Sequence, residues 1–488
     1  MKRREEDSVS DQADQLHWDP EEMRRRGHQA IDWVVDYLAS IEERSVQSRV
    51  EPGDVAASLP MHPPETGESF DDVMADLDRV VLPGITHWQH PSWFAFFNSN
   101  TSGPSMVADI ISSGLAVQGM LWQTSPACTE VETRMMDWLV EMLGLPDSFL
   151  STGAGGGVIQ DTASSATLCA LIAAREQVSD FAVDRDGVQG KMTVYASSEA
   201  HSSVEKAVRI AGIGSEQFRH VDLDENLGID PIALDRAIEA DRAAGCIPTM
   251  VVATIGTTAT TAVDPVAAIA RVCQKHSVWL HVDAAHSGTA ALLPEMRWMQ
   301  EGLKDADSYC FNPHKWMFVG FDCDAFWVRD RKALVKALSV LPEYLRNEAS
   351  ESGQVIDYRD WHIPLGRRFR ALKLWFVIRN YGVDGLRKLI AEHLQWAEWF
   401  EQQVESDPSW HLTHRRTVNL ICMAHIDGDE ATDQVAQQLN EEGQMSVTVT
   451  TVQGKRILRV CIGGTQTRKT HVEAAWQRIA SAGAAATS

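Results

Sequence analysis

The stretch from Val278 to Ala285, VWLHVDAA, is a short apolar run that ends on a carboxylate. The runs KMTVYASS, TMVVATIG, ADSYCFN and DAFWV share its length and texture, and segments of helical length, TASSATLCALIAAREQ and PVAAIARVCQKH, lie between them. Strands alternating with helices imply βαβ units and therefore a mainly parallel sheet covered by helices. The region from about Thr101 to Leu372 reads as one large α/β domain.

On either side of it the texture changes. Asp19-Pro20-Glu21-Glu22 supplies an N-cap, a proline at the first helical position and an acidic first turn; Ile31, Val34, Val35, Leu38 and Ile41 follow at helical spacing. A second helix is predicted from Phe70 to Val80, ended by Pro83-Gly84. Neither has a core of its own, so residues 1–100 are expected to form a helical segment that docks on something else, such as a second subunit. Beyond Arg370 come a long helical region, the run VNLICMAHI, a helix over Thr432 to Glu442, two alternating strands in SVTVTTVQGKRILRVCI and a closing helix from Thr470 to Ala480. The expected division is a helical segment over 1–100, a large α/β domain over 101–372 and a small α+β domain over 373–488.

Composition excludes several function classes. Lys plus Arg is 44 and Asp plus Glu is 68 in 488 residues, a net charge of 44 − 68 = −24. Such a surface repels phosphodiester backbones and anionic lipid, so neither nucleic acid nor a membrane is expected as a partner. The N-terminus lacks an apolar signal region and no run is long enough to span a bilayer, so a soluble cytoplasmic protein is expected. The eight cysteines include no CxxC pair and mostly lie in apolar sequence, as reduced buried thiols do.

Ligands of open α/β sheets sit at the carboxyl ends of the strands. The residues just past the predicted strands are His201, Thr257 and Thr258, Asp283 and Ala285, and Asn312, His314 and Lys315. Together they offer a stacking ring, hydroxyls, a carboxylate and an amine. Pyridoxal phosphate needs that set: a lysine for its imine, a carboxylate at the pyridinium nitrogen and an anion site for its phosphate. The helix start at Thr162, with Ser164 and Ser165, supplies hydroxyls and free N–H groups for the anion. Alone, each signal has an ordinary use. Lys315 after Asn-Pro could be a solvated turn residue, Thr162 and Ser164 could cap a helix, and His286 in the pattern His281, Asp283, His286 is better read as a core histidine than as a metal ligand. No metal site is expected, and Gly153 to Gly157 lacks the rest of a dinucleotide fingerprint. The conjunction, in the order hydroxyl cap, His, Thr-Thr, Asp, Lys, selects the cofactor, with Lys315 forming the imine.

The longer motifs TSPACTEVETRMMDWL, GGGVIQDTASSATLCALIAAR, EAHSSVEKA, WLHVDAAHSG, FNPHKW, GFDCDAFWV and DYRDWHIPLGRRFRALKLWFVIR resemble those of the aromatic-L-amino-acid decarboxylases, the group II pyridoxal-phosphate decarboxylases. The likeness covers nearly the whole chain after about residue 16. It implies the type I aminotransferase-like fold, an N-terminal segment exchanged across a homodimer, and conversion of an aromatic L-amino acid (Trp, DOPA, Tyr or Phe) to the arylalkylamine and CO2. By resemblance Lys315 holds the cofactor, Asp283 faces its pyridinium, His201 stacks on its ring with Ala285 on the other face, and Thr162, Ser164 and Asn312 hold its phosphate. Thr258 lies near the cofactor, and His314 helps position cofactor or substrate. The family's proton donor to Cα is a loop tyrosine, matched by Tyr344. Related aldehyde synthases carry phenylalanine there, so Tyr344 favours decarboxylation over the alternative of oxidative deamination. Gly366 stands where histidine decarboxylases tend to have serine. Trp88, Phe96 and Phe97 resemble the family's aromatic substrate pocket and Ser99 its threonine near the substrate carboxylate. Asn98, Gln118 and Met120 depart from the animal pattern, the last two at positions supplied by the partner subunit, and leave open which aromatic amino acid is preferred.

Overall fold

The computed structural model describes residues 17–340 and 355–486. Its strands are β1 (Gly156–Gln160), β2 (Met192–Ser197), β3 (Phe218–Val221), β4 (Ile247–Thr254), β5 (Trp279–Asp283), β6 (Ser308–Phe311), β7 (Asp324–Val328), β8 (Trp410–Leu412), β9 (Leu420–His425), β10 (Thr448–Val452) and β11 (Lys455–Cys461). The first seven form one sheet in the order β1-β7-β6-β5-β4-β2-β3. Its β2–β3, β2–β4, β4–β5 and β5–β6 pairs are parallel, while β7 runs antiparallel to both β6 and β1. The expected mainly parallel α/β sheet is present. Since β7 is reversed, its first residue, Asp324, lies at the edge where β5 and β6 end.

The sequence reading missed β1 and β3. Strand β1 is hidden by its glycines, which are required by close approach: a Cβ at Gly157 would lie 2.5 Å from Trp327 Nε1, and one at Gly156 would lie 2.9 Å from the Trp361 ring. Strand β3 is short and only its last residue is buried, so it leaves no apolar signature. The strand interiors are almost wholly buried on both faces, as expected for a sheet with helices on each side. One face is covered by the helix Ala163–Val178, which shares a buried cluster with Val194, Cys310 and Phe326. The other carries the larger cluster, in which Leu139 and Leu143 of the helix Pro126–Leu143 meet Val251, Leu280 and Val282.

The second sheet, β10-β11-β9-β8, is antiparallel throughout and carries the helices Asp429–Glu442 and Lys469–Ala486. One long helix, Arg370–Ser406, joins the two cores: Leu374 and Val377 are buried in the large cluster, Phe400 and Val404 in the small one. It turns at Gly382, whose φ of 67° is left-handed.

At the N-terminus the helix Pro20–Ala39 starts as its sequence predicts, the Asp19 carboxylate accepting the Glu22 N–H at 2.8 Å. None of its residues is buried. The predicted second helix is present as Phe70–Asp76 and continues as a wider turn through Leu77–Val81.

Candidate active site

The residues expected at the strand ends converge at one edge of the sheet. Asp283 closes β5; its Oδ1 accepts the Ala285 N–H at 2.9 Å, and the Ala285 carbonyl accepts the Asn312 N–H at 2.9 Å. The ends of β5 and β6 are thereby tied together. Lys315 lies in the turn of helix Pro313–Trp316, with its N–H bonded to the Asn312 carbonyl at 2.9 Å. Burial lowers the pKa of its amine, opposed by the negative charge of Asp283. A fraction of unprotonated amine is what a nucleophilic lysine requires. His201 accepts the Ser203 N–H at Nδ1 (3.2 Å), and burial lowers its pKa while Asp283 raises it and Lys315 lowers it. Ring, carboxylate and amine are thus electrostatic neighbours.

His314 is buried, with Nδ1 accepting the Cys323 N–H at 2.9 Å. Burial, aided by Lys315, pushes its pKa down to about 3, so its ring is neutral at physiological pH with the proton on Nε2. Thr162 stands at the N-cap of Ala163–Val178 yet makes no capping hydrogen bond through its side chain. Its hydroxyl and the first N–H groups of the helix remain for a ligand. Asn312 has its side-chain Oδ1 buried without a partner. Thr257 is turned inward to Thr260 (Oγ1 to Oγ1, 3.1 Å), whereas Thr258 is exposed and its carbonyl accepts from Arg459 Nη2 at 2.8 Å.

Behind Lys315 is an aromatic stack. Phe97 lies on His286 (centroids 3.9 Å apart, 7° between planes) and His286 on Trp316 (5.2 Å, 8°). The Lys315 Nζ is 5.6 Å from the Phe97 centroid. The His286 Nε2 contacts Asn419 Oδ1 at 2.8 Å, and burial pushes its pKa down to about 3. His286 is therefore held as a core histidine, as its sequence context suggested. Asn98 is buried against the small domain, its Oδ1 3.7 Å from Cys461 Sγ.

Trp88 and Phe96 stack on each other at 5.8 Å and are exposed at 37% and 54%. The Ser99 carbonyl accepts Gln89 Nε2 at 2.6 Å. Gln118 and Gly366 line a separate pocket of about 260 Å³ in which neither Lys315 nor Asp283 takes part. There the Gln118 Oε1 accepts the Arg367 N–H at 2.7 Å, and the nearby Met120 carbonyl accepts the Arg359 N–H at 3.1 Å. Tyr344 lies outside the described residues.

The sequence reading missed two supports. Asn100 donates through Nδ2 to the Lys315 carbonyl (2.6 Å) and the Gly463 carbonyl (2.8 Å), fixing the backbone that carries the lysine. Arg459 of β11 donates to the Thr258 and Ala259 carbonyls and to Thr448 Oγ1. Both act on backbone carbonyls across two hundred residues of chain or more, so no local pattern marks them.

A profile described as the pyridoxal-dependent decarboxylase conserved domain matches residues 52–426. The chain belongs to the pyridoxal-dependent decarboxylase family. It is 42% identical over 466 residues to an aromatic-L-amino-acid decarboxylase of Cavia porcellus, covering 94% of this chain and 96% of the relative. It is 41% identical over 470 residues to a phenylacetaldehyde synthase of Arabidopsis thaliana, covering 94% and 96%. The Oryza sativa TDC solved with PLP and tryptamine superposes with a TM-score of 0.93 at 38% identity, covering 96% of this chain and 99% of that one. As a member of this decarboxylase family the protein is a pyridoxal-phosphate enzyme, a carboxy-lyase with the fold its sequence resembled. The residues present fit the cofactor: Thr162 offers an unused hydroxyl at a helix N-terminus, and Lys315 an amine without a hydrogen-bonded carboxylate among the described residues.

Proposed function

We propose that this decarboxylase converts an aromatic L-amino acid to its arylalkylamine and CO2, with Lys315 as the residue that carries the cofactor. The observation that supports it best is the meeting of Lys315, Asp283 and His201 at one sheet edge. When bound, pyridoxal phosphate supplies an electron sink for the pair released from the Cα–carboxylate bond. Asp283 is then the anion that keeps a pyridinium proton in place, held in orientation by the Ala285 N–H. His201, fixed at Nδ1 by the Ser203 N–H, would offer its imidazole face to the ring. Thr162, Ser164 and Asn312 hold the phosphate at the helix N-terminus. His314 offers an Nε2–H beside Lys315 as a neutral donor to substrate or cofactor. Tyr344 would supply the proton to Cα, and Trp88, Phe96, Phe97, Asn98 and Ser99, with Thr258, would shape the substrate side.

The aldehyde synthase relative, as similar as the decarboxylases, makes decarboxylation with oxidative deamination the second reading. Incubating the holoenzyme with Trp, DOPA, Tyr, Phe and His separately, while following CO2, amine and peroxide, separates the two. Equal CO2 and amine without peroxide is the expected result; peroxide with aldehyde would transfer the assignment to the second reading.

We further read the enzyme as a cytoplasmic homodimer. Ile31 and Val35 of the helix Pro20–Ala39, and Val107, Ile110, Ile111 and Leu115 of the helix Gly103–Leu115, are exposed in one chain. Covering this surface with a second chain would bury it and bring Gln118, Met120 and Gly366 to the partner's substrate pocket. Among the described residues no helix is long and apolar enough to cross a membrane.

A further inference from the structure

Four residues of β5 and β6 form a square behind the cofactor edge. His281 pairs directly with Ser308, and Asp283 with Cys310. Directly paired residues share a face of the sheet, as do residues two apart on one strand. All four therefore look toward the helix Ala163–Val178, whose Thr167 Oγ1 lies 3.4 Å from His281 Nε2. Their side chains are linked in series. Trp279 Nε1 donates to Ser308 Oγ at 2.9 Å, and Ser308 Oγ is 2.9 Å from His281 Nδ1. On its other side His281 Nε2 lies 3.8 Å from Cys310 Sγ, which is 4.0 Å from Asp283 Oδ1.

The direction of the series follows from its donors. An indole N–H can only donate, so Ser308 Oγ is an acceptor there, and its own proton has His281 Nδ1 as acceptor among the described residues. Ser308 is completely buried, so no solvent competes. Burial pushes the His281 pKa down to about 4, so the ring is neutral and its one proton stands on Nε2, toward Thr167 and Cys310. The Cys310 sulfur thus meets an N–H on one side and turns its S–H to the other. Burial, reinforced by Asp324 and Asp283, keeps it a thiol by raising its pKa. Asp324, equally buried, takes no hydrogen bond at either oxygen, which leaves Asp283 Oδ1 as the thiol's carboxylate acceptor. That same Oδ1 accepts the Ala285 N–H, whereas Oδ2 takes no hydrogen bond among the described residues.

We propose that Cys310 is a positioning residue of the cofactor site: its S–H, directed by the Nε2–H of His281, holds Asp283 Oδ1 so that Oδ2 is left to receive the pyridinium N–H. The series from Trp279 to Cys310 carries no net charge. It therefore orients the carboxylate without neutralising it, and the full anion remains for the pyridinium proton. A thiol is a weak donor, so Asp283 keeps most of its basicity while losing its freedom to rotate. The inference rests on reading Asp283 as the partner of the pyridinium.

The test titrates full-length, cofactor-free enzyme with pyridoxal phosphate and with its carbocyclic analogue, which has C–H in place of the ring nitrogen, following visible absorbance and protein fluorescence. Wild type, Cys310→Ala and Cys310→Ser are compared. The ratio of the two affinities isolates the contact to the ring nitrogen, since a change that only loosens packing weakens both ligands alike. Wild type is expected to prefer pyridoxal phosphate. Cys310→Ala should lose about threefold of that preference, the lower end of what one hydrogen bond is worth. Cys310→Ser, whose hydroxyl donates in place of the thiol, should keep it. Equal preferences in wild type and Cys310→Ala would overturn the proposal, as would a Cys310→Ser variant that loses as much as Cys310→Ala. If Cys310→Ala does not fold, Cys310→Val, which fills the space without a donor, is read in its place. A wild type with no preference for the ring nitrogen, or an Asp283→Ala variant that keeps the wild-type preference, would instead sink the reading of Asp283 and the proposal with it.

Discussion

At the scale of single residues the site depends on a few groups whose environments differ sharply. At Lys315 burial lowers the pKa of the amine and the negative charge of Asp283 opposes it, so the sheet edge leaves a cation that gives up its proton more readily than a surface lysine. Lys315→Ala should abolish turnover and the visible absorbance of the bound cofactor; a variant that retains either would remove Lys315 from its role. Tyr344→Phe should still bind cofactor but divert product from amine to aldehyde, measured as peroxide released per CO2. Unchanged amine yield would show that another group protonates Cα. The residues proposed to carry the chemistry at the strand ends were legible because each stands just past an apolar run. Asn100, Arg459 and Cys310 were not, because their meaning lies in partners far away in sequence.

Elements transmit order to the site through buried polar ties. The loop after β4, which carries Thr257 and Thr258, is fastened by Asp264, whose carboxylate accepts the Thr254 N–H at 2.6 Å and the Ile229 N–H at 2.7 Å. Burial raises its pKa to about 7. The folded state thus holds this proton more tightly than the unfolded chain. The contribution is fully present below the unfolded value of 3.8 and is lost as pH rises to about 7, at up to about 1.4 kcal/mol per pH unit. Denaturant midpoints of wild type and Asp264→Asn over that range should differ in slope, the variant being flatter; equal slopes would refute the assignment. Near the other end of the sheet, Glu132 and Arg367 form a buried pair at 2.6 Å, joined to β1 by the Ile159 N–H and carbonyl. Glu132→Gln leaves the guanidinium uncompensated and should cost about 3–5 kcal/mol, read as a lowered melting temperature. A loss below about 1 kcal/mol would mean that solvent reaches the site. β1 itself shows why elements can be hidden: its glycines, which weaken any strand signal, are there because Trp327 and Trp361 occupy the space of their side chains.

At the scale of the whole molecule, a single chain leaves apolar helix surface uncovered. Val35 is 57% exposed and Ile110 53%. Exposed apolar faces of this kind mark association surfaces. Sedimentation should give a dimer, and the double variant Val35→Glu, Ile110→Glu should shift it toward monomer with loss of activity. A stable, active wild-type monomer would reject both the dimer and the idea that Gln118 and Gly366 serve a partner's site.

The sequence by itself determined the α/β class, the cofactor and the residues at the strand ends, because strand periodicity and sheet topology together dictate where a ligand must sit. It also determined the first helix, whose cap and acidic first turn are local. Only the tertiary structure decided which hydroxyl was spare and which carboxyl was orphaned. Those properties depend on hydrogen-bond partners and burial, and both are set by contacts between segments that the chain brings together only when folded.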